Sequence, residues 1–467
     1  MIVILGTIVF FNGLFNNFVG DDEGQILKNT QVHSLRNIPR FFSGSTFYTG
    51  TQKLSGVYYK PLLNTVLSLD YSLFGQRAFP FHLFQTSLHI LNACLLFLFF
   101  RYFLKIPLAL VSSLIFLVHP INSEAVFYIS NIQEPLFFFF GILALYLLAK
   151  VKSKSNLILI SLLLFLSLLS KETGALFFVV AAIFAFVFNR KYFLPLLGFL
   201  TPLTILYFLL RASAVSIFAN PLNAPIAMLD LQRRILNMPA ILFFYLKTFT
   251  FPLNLASSYH WVVEQVNFNQ FSLPLMVVFL FTALLVFSAY ILFKRSKERY
   301  FKYYLFFSAW FVLGTLFHLQ IMPLDATVAE RWFYFPIIGL LGMGGVFLET
   351  FFSTVKIERF LALSIVIILL LSIRTFVRGF DWRNNLSLAT HDIKVSRDSY
   401  ALESLMAQAL SVKGRLQEAK IHAEKSIDLY PYSINYINLG HIYFVLEDYP
   451  KAKEAYLKAL EFGEYYL

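Results

Sequence analysis

The first 23 residues read MIVILGTIVFFNGLFNNFVGDDE, an apolar run over 1–19 that ends directly at Asp21, Asp22 and Glu23. A membrane-spanning helix needs about 20 predominantly apolar residues. Runs of this kind return along the chain as far as about residue 375. The alternation of apolar runs with short charged breaks predicts an all-α fold, a polytopic membrane helix bundle.

Composition agrees with this class. Of the 467 residues, 58% are hydrophobic, 14% are charged and 56 are Phe, which excludes a water-soluble domain of this size. The net charge of +12 is expected from cytoplasmic loop cations rather than from a nucleic-acid site. The single Cys94 lies in an apolar run, so neither a disulfide framework nor a Cys-based metal site is expected. Residues 1–19 lack a basic start and an Ala-x-Ala exit, and a retained first span is expected rather than a cleaved signal.

About eleven segments are predicted to span the membrane, some of them with the help of flanking residues. They are 1–19, 84–104, 107–119, 133–149, 156–169, 173–189, 192–210, 272–293, 303–320, 332–352 and 358–377. The positive-inside rule makes the basic breaks cytoplasmic. These breaks hold Arg101, Lys105, Lys150, Lys152, Lys154, Arg190, Lys191, Lys294, Arg295, Lys297, Arg299, Lys302, Lys356 and Arg359. The breaks that face outward then contain nearly all of the acids.

Residues 238–255 interrupt this alternation. They are apolar, but the basic loop at 294–302 is cytoplasmic only if they do not cross the membrane. Pro239, Lys247 and Pro252 favour a re-entrant or interfacial helix.

The chain divides into a membrane domain, 1–380, and a short soluble helical domain, 398–467. Within the first, residues 20–83 form the largest outer loop, which carries the first acids. Within the second, two copies of one unit align with an offset of about 33 residues, typical of the tetratricopeptide helix–turn–helix repeat. The aligned pairs are Ala407 with Gly440, Val412 with Val445, Leu416 with Tyr449, Ala419 with Ala452, and Lys425 with Lys458. Such units are stable when stacked, so help from the membrane domain or from a protein partner is expected.

The outer acids are the candidate catalytic groups. Ionisable residues at helix ends in a membrane protein are costly and therefore functional candidates. Taken singly, Asp21 and Asp22 could begin a solvated loop, and Glu124, after His119 and Pro120, could cap a helix. Taken together, the outer breaks put acids, some with a cation beside them, at one level of the membrane. The remaining members of this set are Glu134, Lys171, Glu172, Glu330 and Arg331.

This combination suits group transfer from a lipid-linked phosphate donor. A carboxylate can remove the proton from an acceptor hydroxyl, and cations can bind a phosphate leaving group. Two other classes stay open: a non-catalytic membrane scaffold whose repeats recruit partners, and a transporter or polymerase of lipid-linked oligosaccharides. A transporter should show inverted repeats among its spans, and none is evident.

Several ordered motifs extend this reading. They are Phe18-Val19-Gly20-Asp21-Asp22 with Ile26-Leu27-Lys28-Asn29, Tyr59-Lys60-Pro61-Leu62, Phe81-His82-Leu83, His89-Ile90-Leu91-Asn92-Ala93, His119-Pro120-Ile121-Asn122-Ser123-Glu124-Ala125-Val126, Ser170-Lys171-Glu172-Thr173-Gly174 and Ala329-Glu330-Arg331-Trp332-Phe333-Tyr334-Phe335-Pro336. With the C-terminal repeats, they resemble the transmembrane-and-tetratricopeptide-repeat O-mannosyltransferases and their bacterial relatives, of the GT-C class of membrane glycosyltransferases. The resemblance covers essentially the whole chain.

The resemblance implies a polyprenyl-phosphate-sugar donor, mannose or a similar hexose, and an acceptor hydroxyl on a protein Ser or Thr or on a glycan. It implies transfer at the outer face of a bacterial cytoplasmic membrane, or at the lumenal face of the ER membrane in a eukaryote. By position, Asp21 and Asp22 match the catalytic acidic pair and Glu124 matches the Glu of the His-Pro-Ile motif. The acceptor hydroxyl is expected to give its proton to Asp22 (or to Asp21), while Asp21 and Glu124 orient the acceptor or the base. Which of the two aspartates is the base stays open. Some GT-C enzymes use a divalent metal, but those that the motifs most resemble are thought to work without one, so a metal is possible but not expected. The sequence offers no tight ligand spacing that would decide.

The other site residues follow from this assignment. Arg331, Lys171 and Lys60 are expected to bind the donor phosphate, and His119, Glu134, Glu172 and Glu330 to support the site. The chain departs from the family at Gly20, where a bulky residue is common, and at Asn122, where His is common. Its repeat array is also short, which puts the acceptor in doubt.

Overall fold

The computed structural model of the chain describes residues 1–48, 54–215, 224–295, 298–351 and 357–463. Lys297 and Lys356, two of the cations expected in cytoplasmic breaks, lie outside these ranges. In the described part, helices dominate, and the strands β1 (Phe47–Tyr48) and β2 (Leu54–Ser55) pair antiparallel in the first outer loop. The expected all-α membrane bundle followed by tetratricopeptide helices is confirmed.

The helices of the N-terminal part are α1 (Ile2–Phe10), α2 (Ile38–Phe41), α3 (Pro61–Phe74), α4 (Ala78–Phe100), α5 (Ile106–Val118), α6 (Ser123–Phe127), α7 (Gln133–Ala149), α8 (Asn156–Ser170), α9 (Ala175–Phe188), α10 (Arg190–Ala214), α11 (Leu231–Thr250), α12 (Leu273–Arg295), α13 (Glu298–Leu316), α14 (Ile337–Phe351) and α15 (Ile357–Asp381). Those that follow are α16 (Asn385–Val395), α17 (Tyr400–Val412), α18 (Leu416–Leu429), α19 (Ser433–Val445) and α20 (Tyr449–Gly463). Each of the eleven predicted spans overlaps one of these helices, although 1–19 is helical only in α1 and in the short 3-10 turn Phe11–Phe15.

The number that cross the membrane stays a prediction. Among the described residues, five helices are long and apolar enough to cross, and the bent pair α5–α6 would make six. These five are Ala78–Phe100, Ile129–Ala149, Arg190–Ala214, Phe268–Arg295 and Glu358–Asp381. Shorter apolar helices, such as Asn156–Ser170, complete the bundle. The chain is a multi-pass membrane protein.

The helices pack closely where side chains are small. Gly339 and Gly342 lie three residues apart on α14 and face α13. A Cβ at Gly339 would lie 2.5 Å from the backbone nitrogen of Phe311, and one at Gly342 would lie 2.1 Å from the ring of Phe307. Small residues let two membrane helices approach to backbone contact, which is the packing found here.

Helix α11 contains most of the stretch expected to be re-entrant or interfacial. It is amphipathic, and it is not one of the five helices named above as able to cross a membrane. Its Tyr245 hydroxyl donates to the carbonyl of Ala329 at 3.2 Å, and its Phe249 ring stacks on His119. The helix therefore lies against the loops that carry the outer acids, and its interfacial position stays a prediction.

The C-terminal helices form two antiparallel pairs, α17–α18 and α19–α20, with a shared apolar core. Ala407, Ala419 and Ala423 are buried there, beside Leu439 and Ile442. The small residues that the repeat alignment singled out are thus at helix contacts. Helix α16, between the two predicted domains, packs against the end of α15 and against α17, and its Asp392 accepts from the N–H of Ser257.

Candidate active site

A cavity of about 810 Å³ lies between one set of ends of the membrane helices, those expected to face outward, and the first tetratricopeptide helices. Six of the ten predicted site residues line it: Asp21, Lys60, Glu134, Lys171, Glu172 and Arg331. The other four, Asp22, His119, Glu124 and Glu330, are not in its lining and are buried. Residues that are far apart in the sequence thus meet in one chamber.

Asp21 and Asp22 have different environments although they are adjacent. Asp21 is exposed within the cavity, and its N–H donates to the Tyr128 hydroxyl at 2.8 Å. Enclosure by the surrounding protein raises the pKa of Asp21, while a hydrogen bond between its side chain and the Tyr128 hydroxyl and the charge of Arg331 partly offset this rise. Its carboxylate is open to a ligand and more basic than an ordinary aspartate.

Asp22 is fully buried, and its carboxylate holds the local turn by hydrogen bonds. Its carboxylate accepts from the Ser130 N–H at 2.7 Å, the Ser130 hydroxyl at 2.6 Å and the Val19 N–H at 3.1 Å. Burial raises the pKa of Asp22 to about 7 in spite of these bonds. The preceding Gly20 has a φ of +53°, a conformation that favours glycine and that turns Asp21 towards the cavity.

Arg331 reaches the cavity from a buried support. Its guanidinium pairs with the fully buried Glu124, and its own N–H donates to the second Glu124 oxygen at 3.0 Å. Asn131 donates to the same carboxylate at 3.2 Å. Both Glu124 oxygens are therefore occupied, so Glu124 orients Arg331 rather than facing the chamber.

Two further ion pairs lie in the cavity wall. Lys171 Nζ is 2.5 Å from Glu134, and Arg211 Nε is 2.9 Å from Glu172. Arg211 was not among the predicted site residues, although it is a lone cation at the end of an apolar segment. These pairs fix two cations at the chamber while keeping its net charge low.

Lys60 is different, because no carboxylate lies within ion-pair distance of it in the described part of the chain. Its ammonium is 4.4 Å from the centre of the Tyr58 ring and 5.9 Å from that of Phe47. Burial, with the charge of Lys171, lowers the pKa of Lys60 to about 8. It is a cation held by aromatic faces and available to an anion.

His119 and Glu330 hold loops outside the cavity. His119 Nε2 is 2.9 Å from the carbonyl oxygen of Phe249, and its Nδ1 accepts from the Ile121 N–H at 3.2 Å. Glu330 accepts from the Ala256 N–H at 2.7 Å and the Tyr259 hydroxyl at 2.8 Å. Burial raises the pKa of Glu330 to about 8.

The cavity has three chemically distinct sides. All of its charged lining residues come from the membrane part, and include Asp325. The side formed by Leu316, Phe317, Ile321 and Met322 is apolar and partly exposed. The opposite side comes from the C-terminal helices and carries no charge. Its residues are Tyr400, Ala401, Leu402, Ser404, Leu405, Gln408, Tyr432, Ile434 and Asn435.

Among the described residues, no group of three or more His, Cys, Asp or Glu side chains is arranged to hold a metal ion. Asp21 and Asp325 are the cavity carboxylates without a salt bridge in that part of the chain.

Comparison with known proteins finds sequences similar to this chain. Residues 435–462 match the tetratricopeptide repeat family. The chain is 26% identical to the human protein O-mannosyl-transferase TMTC3, over 98% of this chain and 54% of the relative. It is 23% identical to the protein O-mannosyl-transferase F38B6.6 of Caenorhabditis elegans, over 92% of this chain and 62% of the relative. The resemblance to the transmembrane-and-tetratricopeptide-repeat O-mannosyltransferases is confirmed.

The matched relatives and solved structures are longer than this chain. The chain spans about half the length of the TMTC3 relatives that it matches. Among solved structures, ArnT from Cupriavidus metallidurans is similar at 13% identity with a TM-score of 0.43 when bound to undecaprenyl phosphate, and at 14% with 0.47 in the apo state. These alignments cover all of this chain and 75% and 76% of ArnT. With TM-scores below 0.5, this likeness carries no weight for the site.

Proposed function

We propose that the chain is a GT-C membrane glycosyltransferase that moves a hexose, mannose or a similar sugar, from a polyprenyl-phosphate donor to an acceptor hydroxyl at the outer membrane face. The observation that carries the proposal is the cavity, in which carboxylates without a salt bridge, fixed cations and an apolar side occur together. The names of the relatives support the same activity.

The three sides of the cavity fit the three parts of the reaction. The apolar side near Phe317 and Met322 suits an isoprenoid chain, and the exposure of these side chains lets that chain continue into the bilayer. The charged side suits the phosphate and sugar. The uncharged side from the tetratricopeptide helices suits the acceptor, a protein or glycan.

Asp21 is the proposed general base. The acceptor hydroxyl gives its proton to the Asp21 carboxylate while its oxygen forms a bond to the anomeric carbon. The bond from that carbon to the phosphate oxygen breaks, and polyprenyl phosphate leaves with one additional negative charge. A single displacement of this kind inverts the anomeric centre. The raised pKa of Asp21 makes it a better proton acceptor near neutral pH.

Arg331, Lys171 and Lys60 are proposed to stabilise the leaving phosphate. Fixed cations in a site that excludes bulk water stabilise developing charge without reorganisation. Glu124 holds Arg331 in position, since both of its oxygens bind that residue. Lys60, with no carboxylate partner among the described residues, has its charge available to the phosphate.

The experiment is to incubate the purified chain with a panel of polyprenyl-phosphate sugars and to measure released polyprenyl phosphate. We expect release from one or a few hexose donors, stimulated by an acceptor hydroxyl and abolished by Asp21→Asn. Glu23→Gln is the matched control, because Glu23 follows in the same turn but does not line the cavity. Equal release by the Asp21→Asn variant would favour a scaffold or a transporter instead.

A further inference from the structure

A buried ion cluster joins the end of α15 to α16, outside the cavity. Arg378 and Asp392 are both fully buried, and the guanidinium donates to both carboxylate oxygens, at 2.7 and 3.1 Å. Asp381 lies 3.1 Å from Arg378 on the more exposed side, and His391 Nδ1 lies 2.8 Å from Asp392. Burying an ion pair costs the hydration of both groups, and apolar residues of equal volume are often as stable. Stability alone therefore does not explain this pair.

The cluster holds a loop of the cavity. The second oxygen of Asp392 accepts from the N–H of Ser257 at 2.7 Å, and Ser257 lines the chamber. The neighbouring Ala256 N–H donates to Glu330 at 2.7 Å. Two consecutive backbone N–H groups are thus bound by two buried carboxylates. One carboxylate comes from α16, and the other comes from the residue directly before Arg331.

The same loop is paired with the segment that leads to Arg331. The Thr327 N–H donates to the carbonyl of Tyr259 at 3.0 Å, and Tyr259 forms an isolated antiparallel bridge with Val328. The Tyr259 hydroxyl also donates to Glu330 at 2.8 Å. A displacement of the loop is therefore passed by hydrogen bonds to the backbone next to Arg331.

We propose that Asp392 and Arg378 are positioning residues for Arg331, a role that rests on the proposed function. Through the Ser257 N–H they fix the loop that sets where the Arg331 guanidinium meets the donor phosphate. Helix α16 leads into α17, whose first residue Tyr400 lines the cavity. The pair therefore also ties the tetratricopeptide helices to the phosphate side of the site.

The test uses the full chain with polyprenyl-phosphate mannose as the donor. Asp392→Asn should raise the donor KM about tenfold and also lower kcat, because the Arg331 guanidinium both binds the donor phosphate and stabilises the charge that develops on it. In an Arg331→Lys background the same substitution should change the donor KM by less than about twofold, since the guanidinium that it positions is gone. A merely structural defect would raise the donor KM by the same factor with Arg331 as with Lys at that position. The coupling free energy between the two substitutions would then be zero.

Asp381→Asn is the matched control. It removes the other carboxylate on Arg378 but leaves the bond between Asp392 and Ser257, so the donor KM should stay within about twofold of the unsubstituted value. If Asp392→Asn does not fold, Arg378→Met with Asp392→Leu replaces it, because removing both charges leaves no unpaired buried charge. That double variant should show the same rise in KM and the same loss of effect with Arg331→Lys.

Two results would overturn the positioning role. One is an undiminished effect of Asp392→Asn, or of the double variant, in the Arg331→Lys background. The other is an equal rise in donor KM for Asp381→Asn. An unsubstituted chain that releases no polyprenyl phosphate from any donor would instead remove the proposed function, and the positioning role with it.

Discussion

Replacing Asp21 and Asp22 separately by Asn should separate catalysis from folding. Asp21 is open to the cavity and Asp22 is buried under three donated hydrogen bonds. Removing a general base typically costs about 10² to 10⁴ in rate, or about 3 to 5 kcal/mol of transition-state free energy. We expect a loss of this size for Asp21→Asn, with the free energy of unfolding nearly unchanged because that side chain is accessible to water.

The Asp22→Asn variant should behave in the opposite way. The single side-chain oxygen of Asn can still accept from Ser130, but the new NH₂ group then faces the Val19 N–H, from which the carboxylate accepted a hydrogen bond. A buried donor left without an acceptor costs about 1 to 3 kcal/mol. We expect a lower melting temperature, with turnover reduced less than tenfold in the fraction that stays folded.

The assay is the release of polyprenyl phosphate at saturating donor, with thermal unfolding of the same preparations. Glu23→Gln serves as the control for charge loss in this turn. Assigning the base to Asp21 would be refuted if Asp22→Asn abolished turnover with unchanged stability while Asp21→Asn kept most of its activity.

Three further predictions concern the phosphate site, the pH dependence of folding stability and the membrane topology. Arg331→Lys keeps the charge but loses the planar fork, so the donor KM should rise about tenfold in steady-state kinetics; an unchanged KM would move the phosphate role to other cations. Glu330 has a pKa of about 8 in the fold, above the ordinary value, so its contribution to stability is complete at low pH and is lost as the pH rises towards 8. The slope is about 1.4 kcal/mol per pH unit for one group. Glu330→Gln should remove this dependence in unfolding measured from pH 5 to 8, and an unaltered pH profile would contradict it. In a Cys94→Ala background, the variants Arg36→Cys and Val412→Cys should both react with an impermeant thiol reagent added from outside. Labelling of only one of them would contradict the prediction that both regions lie on the outer side of the membrane.

Charge pairing shows how far sequence reasoning extends. Lys171 and Glu172 are adjacent in the sequence, as are Glu330 and Arg331, so an ion pair between neighbours is the simplest expectation for each. In the fold, Lys171 instead binds Glu134, 37 residues away, and Arg331 binds Glu124, 207 residues away. Adjacent residues point to different sides of a helical turn, so their ion partners depend on which helix packs against them.

The sequence by itself determined the membrane class, the positions of the apolar helices and the tetratricopeptide helices. These properties depend on run length and periodicity, which are local and readable. It also supplied the acids and cations that line the cavity, except Arg211 and Asp325. Only the tertiary structure separated Asp21, open to the cavity, from Asp22, buried beside it. That choice rests on which backbone and hydroxyl groups of Ser130 reach the turn, and Ser130 is 108 residues away. Burial and hydrogen bonding, which decide whether a carboxylate reacts or only holds a loop, are properties of packing and are not encoded in residue type.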